Sequence, residues 1–193
     1  MKWQNGIGVI VAVGLAGFAG ACAREPASTR PAASTMTASS PAVDHAIAVL
    51  HPTEGNKVTG TVRFTREADG IRVNVHIEGL TPGEHGFHVH EFGDCSSPDG
   101  TSAGGHFNPF DQPHAGRDSA HRHVGDLGNV TADDSGVADA DFVDSVIALQ
   151  GEASIIGRGM IVHAGRDDLT SQPSGAAGPR VACGVVGISS GAE

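Results

Sequence analysis

The sequence has no tyrosine, a single tryptophan at position 3 and seven phenylalanines, so aromatic residues make up only 4% of its 193 positions. Its 28 glycines favour turns, and this composition favours many short strands over packed helices. The tryptophan that immunoglobulin domains bury between two paired cysteines has no counterpart here. The composition therefore predicts an all-β domain, and the length suffices for one core plus an end segment.

Basic residues are also scarce, because 12 Lys and Arg stand against 22 Asp and Glu, for a net charge of −10. Proteins that bind nucleic acid need a basic surface, so we expect no nucleic-acid partner. The same charge would repel an anionic substrate at long range.

Long hydrophobic runs are absent too. The run from Ile7 to Phe18 has twelve residues, which is too short to span a bilayer, and with Lys2 before it the run is typical of an export signal. The small residues before Cys22 fit two processing routes, an ordinary cleavage and a lipoprotein box in which Cys22 is acylated. We favour the second, with residues 1–21 as signal peptide and the mature protein in the periplasm or cell envelope.

A change of composition separates this segment from the rest. Sixteen of the 21 residues at 23–43 are Ala, Ser, Thr or Pro, which predicts an unstructured tether over 22–43 before a domain at 44–193. With Cys22 assigned to the lipid, Cys95 and Cys183 remain as a pair inside the domain, and export permits a disulfide between them.

From residue 44 onward, short apolar or alternating runs are separated by turn residues. The pattern predicts eight strands near 46–50, 58–64, 71–77, 87–92, 128–131, 137–142, 159–163 and 181–188. We expect an eight-stranded antiparallel Greek-key β-sandwich or barrel. Residues 93–122 and 164–179 are rich in Gly, Pro, Asp and Ser, and loops of such length in a compact domain are usually functional.

Two histidines stand one residue apart on a predicted strand, in Gly86-Phe87-His88-Val89-His90. Strand geometry puts both imidazoles on one face, about 6 to 7 Å apart, where they could share a metal. Surface histidines also pair in this way, so the pair alone is a weak signal. His163 ends an apolar run and could reach the same metal, although a lone histidine there is more often structural.

The first long loop and the residues just after it add four candidate ligands: His106, His114, His123 and Asp126. Three imidazoles and one carboxylate match the ligands of a closed tetrahedral zinc site. The competing interpretation is that Asp126, beside a glycine, serves as a turn residue.

Five blocks of sequence carry a resemblance to a known family: GFHVHEFGDC, SAGGHFNP, RHVGDLGNV, IVHAGRDDL and PRVACGVVGI. From about His45 to Ile188 the chain is similar to the copper/zinc superoxide dismutases. The resemblance implies dismutation of superoxide to dioxygen and hydrogen peroxide. It assigns copper to His88, His90, His106 and His163, and zinc to His106, His114, His123 and Asp126.

The resemblance also implies roles around the metals. His106 would bridge them and take up a proton during turnover, and Arg180 would orient the anion beside copper. Asp167 would hydrogen-bond His88 and His114, and the Cys95–Cys183 disulfide would tie the first long loop to the last strand. The remaining histidines are expected on the surface or in the core and not on a metal: His45, His51, His76, His85 and His121.

Two features depart from the family pattern. The loop 164–180 is short and offers Arg166 and Arg180 against two aspartates, so we expect weak electrostatic steering and a rate that depends less on salt than in well-steered relatives. An insertion at 96–101 leaves a homodimer and its geometry open. Rival functions are a copper-storage module without turnover and a structural sandwich, and the presence of Arg180 favours the enzyme.

Overall fold

A computed structural model describes residues 42–191, so the predicted signal, Cys22 and most of the predicted tether lie outside the described residues. The domain is all-β, as predicted. Its eight strands are β1 (His45–Pro52), β2 (Thr59–Glu67), β3 (Gly70–Glu78), β4 (Gly83–His90), β5 (Asp126–Ala132), β6 (Ala138–Asp144), β7 (Gly159–His163) and β8 (Arg180–Ile188). Between residues 42 and 191 no helix combines the length and apolarity needed to cross a membrane.

The strands pair antiparallel in the order β5-β4-β7-β8-β1-β2-β3-β6. Neighbours such as β3 and β6, or β4 and β7, are distant in sequence, which is the predicted Greek-key connectivity. The end strands β5 and β6 approach each other, so the sheet forms a nearly closed barrel. Two long loops, at 91–125 and 164–179, leave this barrel next to β4 and β7.

In the half of the barrel made by β1, β2, β3 and β6, buried and outward-pointing side chains alternate along the strands. Val62 and Phe64 of β2 pair with Val75 and Val73 of β3, and all four side chains lie in the core. The intervening residues point outward, and Arg72 is one of them. Period-2 patterning of this kind is what a one-sided buried sheet requires.

Strands β4 and β7 differ, because they are buried on both faces. Phe87 and Val89 of β4 lie in the core, whereas His88 and His90 point to the opposite side and are still 0% and 1% exposed. The first long loop covers them at a close crossing, where a Cβ on Gly125 would lie 2.0 Å from the Val89 carbonyl oxygen. Glycine at this crossing lets the loop pack directly on the strand.

The predicted disulfide is confirmed. Cys95 and Cys183 are bonded with their Cα atoms 5.8 Å apart, across 88 residues of sequence. The bond joins the first long loop to β8, and the chain-entropy model assigns about 4 to 5 kcal/mol to so long a closed loop.

Candidate metal centre

Four buried histidines form the first cluster: His88 and His90 from β4, His106 from the first long loop and His163 from the end of β7. One ring nitrogen from each lies within 4.8 Å of the others. The His106 ring centroid is 4.1 Å from that of His88 and 5.0 Å from that of His90. The strand pair and the distant His163 therefore meet, as the sequence predicted.

In this cluster one ring nitrogen of each strand histidine is held by the protein. His88 Nε2 lies 2.7 Å from Asp167 Oδ2, His90 Nδ1 lies 3.0 Å from the Gly104 carbonyl, and His163 Nδ1 lies 2.9 Å from the Gly178 carbonyl. The opposite nitrogens are buried and have no hydrogen-bond partner among residues 42–191: His88 Nδ1, His90 Nε2, His106 Nε2 and His163 Nε2. Such unpartnered buried nitrogens, with the tautomer fixed from behind, suit metal ligands.

Burial also keeps these rings neutral. It lowers the pKa of His88 to about 3 and that of His163 to about 4, and it lowers the pKa of His90 and His106 as well. Neutral imidazoles at neutral pH present lone pairs, and a set of four imidazoles suits copper in both of its common oxidation states.

The second cluster consists of His106, His114, His123 and Asp126, whose ligand atoms also lie within 4.8 Å of one another. Three imidazole nitrogens surround one carboxylate oxygen: Asp126 Oδ1 lies 2.7 Å from His106 Nδ1, 3.0 Å from His114 Nδ1 and 3.1 Å from His123 Nδ1. Three nitrogens and one oxygen are a suitable set for tetrahedral zinc. Asp126 begins β5, and its Oδ2 accepts from the main-chain N–H of Ala115 and His123, so it is more than a turn residue.

This second cluster is built around negative charge. Burial opposes ionisation of Asp126, but its contacts with three imidazoles hold its pKa well below the usual range, and Asp167 is lowered likewise through His114 and His88. Despite the effect of burial, the two carboxylates raise the pKa of His114 to about 9. Two carboxylates that remain ionised in a buried place are complementary to a divalent cation.

His106 belongs to both clusters. Its Nδ1 faces Asp126, and its Nε2 is the unpartnered nitrogen on the side of the other cluster. The two nitrogens of one ring can therefore reach two metals, one in each cluster.

A cavity of about 390 Å³ opens beside the first cluster and is lined by His90, His106, His163 and Arg180 among others. The Arg180 guanidinium donates to the carbonyl oxygens of Gly100 at 2.5 Å and Gly104 at 2.6 Å. These contacts fix a permanent positive charge at the wall of the cavity. Arg166, in the loop 164–179 that precedes Arg180, is paired with Glu84 at 2.7 Å.

Residues 58–186 match the family model described as "Copper/zinc superoxide dismutase (SODC)". The chain belongs to this family. It is 52% identical over 150 residues to "Superoxide dismutase [Cu-Zn]" of Paramecium bursaria Chlorella virus 1, covering 74% of this chain and 77% of the relative. It is 46% identical over 153 residues to "Extracellular superoxide dismutase [Cu-Zn]" of Brugia pahangi, covering 75% of this chain and 76% of the relative.

A solved structure agrees in fold. The dismutase matches the structure titled "Crystal Structure Analysis of the clock protein EA4" with a TM-score of 0.71 and 44% identity, over 78% of this chain and 99% of that one. Its family and its two histidine-rich clusters make the chain a copper- and zinc-dependent enzyme. Enzymes of this kind convert two superoxide anions and two protons to dioxygen and hydrogen peroxide.

The structure also reveals supporting residues of the dismutase that the sequence did not indicate. Asn129 of β5 donates its Nδ2 to the Asp167 carbonyl at 2.9 Å and accepts the Asp167 N–H on its Oδ1 at 2.8 Å. His85 is 2% exposed, and its two ring nitrogens lie 2.8 Å from the carbonyl oxygens of His163 and Thr81. His85, expected on the surface or in the core and not on a metal, is buried outside both clusters and contacts the main chain of His163.

Proposed function

We propose that the two clusters divide the metals, with His106 as the ligand common to both. Copper is assigned to His88, His90, His106 and His163, and zinc to His106, His114, His123 and Asp126. The observation that carries this assignment is the opposite orientation of the two His106 nitrogens, one toward Asp126 and one unpartnered within the described chain. Copper, when bound, supplies the one-electron redox chemistry of dismutation, whereas zinc has no accessible redox change.

Arg180 and His106 are the residues that handle the substrate and the proton. A guanidinium has five N–H donors, and the two contacts of Arg180 to carbonyl groups leave donors free for an anion in the cavity. His106 Nε2 is the atom assigned to hold one of the two protons that peroxide formation requires. Asp167 keeps its ring partners His88 and His114 in their tautomers through contacts of 2.7 and 2.9 Å.

The test compares Arg180, at the start of β8, with Arg166, in the loop before it, in the metal-loaded domain 44–193. Arg180→Ala should lower the dismutation rate roughly tenfold while copper stays bound, because a local cation attracts and orients the anion. The matched control Arg166→Ala removes the same charge from a side chain already paired with Glu84, and should change the rate less than about twofold. Loss of copper from the Arg180 variant would contradict the role proposed for it, and bound metals without turnover in the unmutated domain would favour the storage interpretation.

The location proposed for the enzyme is the periplasm or cell envelope, with a lipid on Cys22 as membrane anchor and extracytoplasmic superoxide as substrate. Two observations support export: the leader composition at 1–21, and the Cys95–Cys183 disulfide, a bond typical of oxidising compartments. The Brugia pahangi relative carries the word extracellular in its name. Mass spectrometry of the mature N-terminus should find diacylglycerol on Cys22, and an unmodified Cys22 would leave the ordinary cleavage route.

Self-association is proposed through an apolar patch. Four of the six exposed large hydrophobic side chains in the described chain lie on β1, on β8 and just after β4: Val49, Phe92, Val185 and Ile188. Val49 and Val185 are on paired strands, and a Cβ on Gly93, the residue after Phe92, would lie 2.9 Å from Val185 Cγ1. Patches of this kind mark protein interfaces. Val185→Lys should shift a dimer to monomer in sedimentation experiments, whereas Val143→Lys, on β6, should not.

A further inference from the structure

Gln172, in the loop 164–179, holds the main chain of His114 at two points. The His114 N–H donates to Gln172 Oε1 at 2.8 Å, and Gln172 Nε2 donates to the His114 carbonyl at 2.8 Å. A carboxamide that both accepts from and donates to one residue fixes the position and the direction of that residue's peptide groups. Each long loop therefore holds the other beside the second metal cluster.

The segment that presents Gln172 is itself a closed turn. Asp168 Oδ1 accepts the N–H groups of Thr170 at 2.9 Å and Ser171 at 2.8 Å. Asp168 N–H donates to the Gly175 carbonyl at 2.8 Å, and Gly175 N–H donates to the Ser171 carbonyl at 2.7 Å. These bonds fix the main chain on both sides of Gln172, so its side chain loses little further entropy on reaching His114.

The same turn packs against the cluster itself. A Cβ placed on Gly175 would lie 1.7 Å from Asp167 Oδ1 and 2.6 Å from His114 Nε2, so the loop backbone is in direct contact with both groups. The His114 ring is thus held by Asp167 and its main chain by Gln172. Asp167 is held in the same two-point manner by Asn129, so a carboxamide fixes each member of the His114–Asp167 pair.

We propose that Gln172 is a positioning residue for zinc binding, which holds His114 in place and makes the loop 164–179 part of the zinc site. This inference rests on the proposed assignment of His114 to zinc. Without the Gln172 contacts, the metal would have to order the His114 segment, and retention of zinc would weaken. Because such coupling is reciprocal, bound zinc would in turn stabilise the loop that leads to Arg180.

The experiment measures zinc release from the fully loaded, disulfide-bonded protein with a chromophoric zinc chelator, while the visible absorption of copper reports the other site. Gln172→Ala removes both hydrogen bonds. Gln172→Glu keeps the shape and the acceptor but sets a carboxylate oxygen against the His114 carbonyl. Both variants should release zinc about tenfold faster, the lower end of the usual effect of losing such a supporting contact, with the copper spectrum unchanged.

The control is Gln112→Glu, which makes the same chemical change, with the same added charge, in the neighbouring loop. The Gln112 carboxamide donates to the Phe110 carbonyl at 3.1 Å and not to His114. This variant should release zinc within about twofold of the unmutated rate. A Gln172 variant that matches the control, or one that loses copper and zinc in parallel, would overturn the inference.

The same assay tests the zinc assignment and the positioning role of Gln172 independently. The His123→Ala variant should lose the zinc that the unmutated protein holds. If it retains that zinc, or if the unmutated protein binds none, the assignment of zinc to this cluster is wrong. If His123→Ala loses the zinc but the Gln172 variants do not change its release rate, the zinc assignment stands. In that case the positioning role of Gln172 alone is refuted.

Discussion

Strands β3 and β4 carry polar residues at alternating positions, yet these residues do opposite things. On β3, Arg72 and His76 point outward into solvent and pair with neighbouring acids. On β4, His88 and His90 also point away from the core, but the two long loops cover them and leave them buried. The difference comes from the two long loops that cover β4 and not from the strand pattern. The same alternation gives a solvated face on β3, called the outer face below, and a buried metal centre under the loops on β4, called the covered half.

The cover changes what each polar contact contributes. The side chain of Arg72 is 40% exposed, and surface ion pairs of this kind contribute little to stability because solvent screens them. Arg122, a residue of the first long loop, is 2% exposed, and its guanidinium binds Asp144 and the carbonyl groups of Arg117, His123 and Val124. A buried charge needs such complete pairing, so the covered half should tolerate substitution poorly.

The largest contrast is expected in activity. His163→Ala, under the loops, should remove copper-dependent turnover, because one of four imidazole ligands is lost, and should leave zinc bound. His76→Ala, on the outer face, should leave the dismutation rate unchanged. Metal analysis and a superoxide assay on both variants check this, and zinc loss from the His163 variant would contradict the division of ligands between the clusters.

The second contrast is in stability. Arg122→Met leaves Asp144 buried without its cation and should cost about 3 to 5 kcal/mol of unfolding free energy. Arg72→Met breaks two exposed pairs, to Glu67 and Asp141, which solvent screens, and should lower the unfolding free energy far less. Urea unfolding of the metal-free, disulfide-bonded domain compares the two variants. Similar losses of unfolding free energy would mean that burial by the long loops does not set the cost of removing a charge.

Strand periodicity and residue type carried most of the prediction from the sequence. The eight strands and the shared face of His88 and His90 follow from period-2 alternation, which is a local property. The supporting contacts of Gln172, Asn129 and His85 could not be found in this way. Each depends on a side chain meeting main-chain atoms of a residue 38 or more positions away, and no spacing in the sequence encodes such a meeting.

A smaller effect concerns electrostatic steering into the covered half. Arg166 is paired with Glu84, and Arg180 is the one permanently charged residue among those that line the cavity. The dismutation rate should therefore fall less than about twofold between roughly 0.01 and 0.15 M ionic strength. Glu84→Gln should free Arg166 and make the salt dependence steeper, whereas a steep fall in the unmutated enzyme would show steering that these residues do not account for.

The smallest effect belongs to the outer face. His76 Nδ1 lies 2.7 Å from Asp139 Oδ1 and Nε2 lies 3.4 Å from Glu78 Oε1, and chiefly the hydrogen bond to Asp139 raises the pKa of His76 above its ordinary value of 6.5. A pKa that is higher in the folded state stabilises the protein fully below the unfolded pKa, and this stabilisation is lost as pH rises through the folded value.

His76→Gln should therefore lower Tm by about 1 °C at a pH near 5.5 and by less at a pH near 9, since the residue is half exposed and solvent screens the pair. In an Asp139→Asn background most of this pH-dependent difference should disappear, because the partner that raises the pKa is gone. An equal loss at both pH values would mean that His76 acts through packing on β3 and not through charge. Packing would then contribute more to the outer face than its exposure indicates. The outer face and the covered half would differ less in how their polar side chains stabilise the protein.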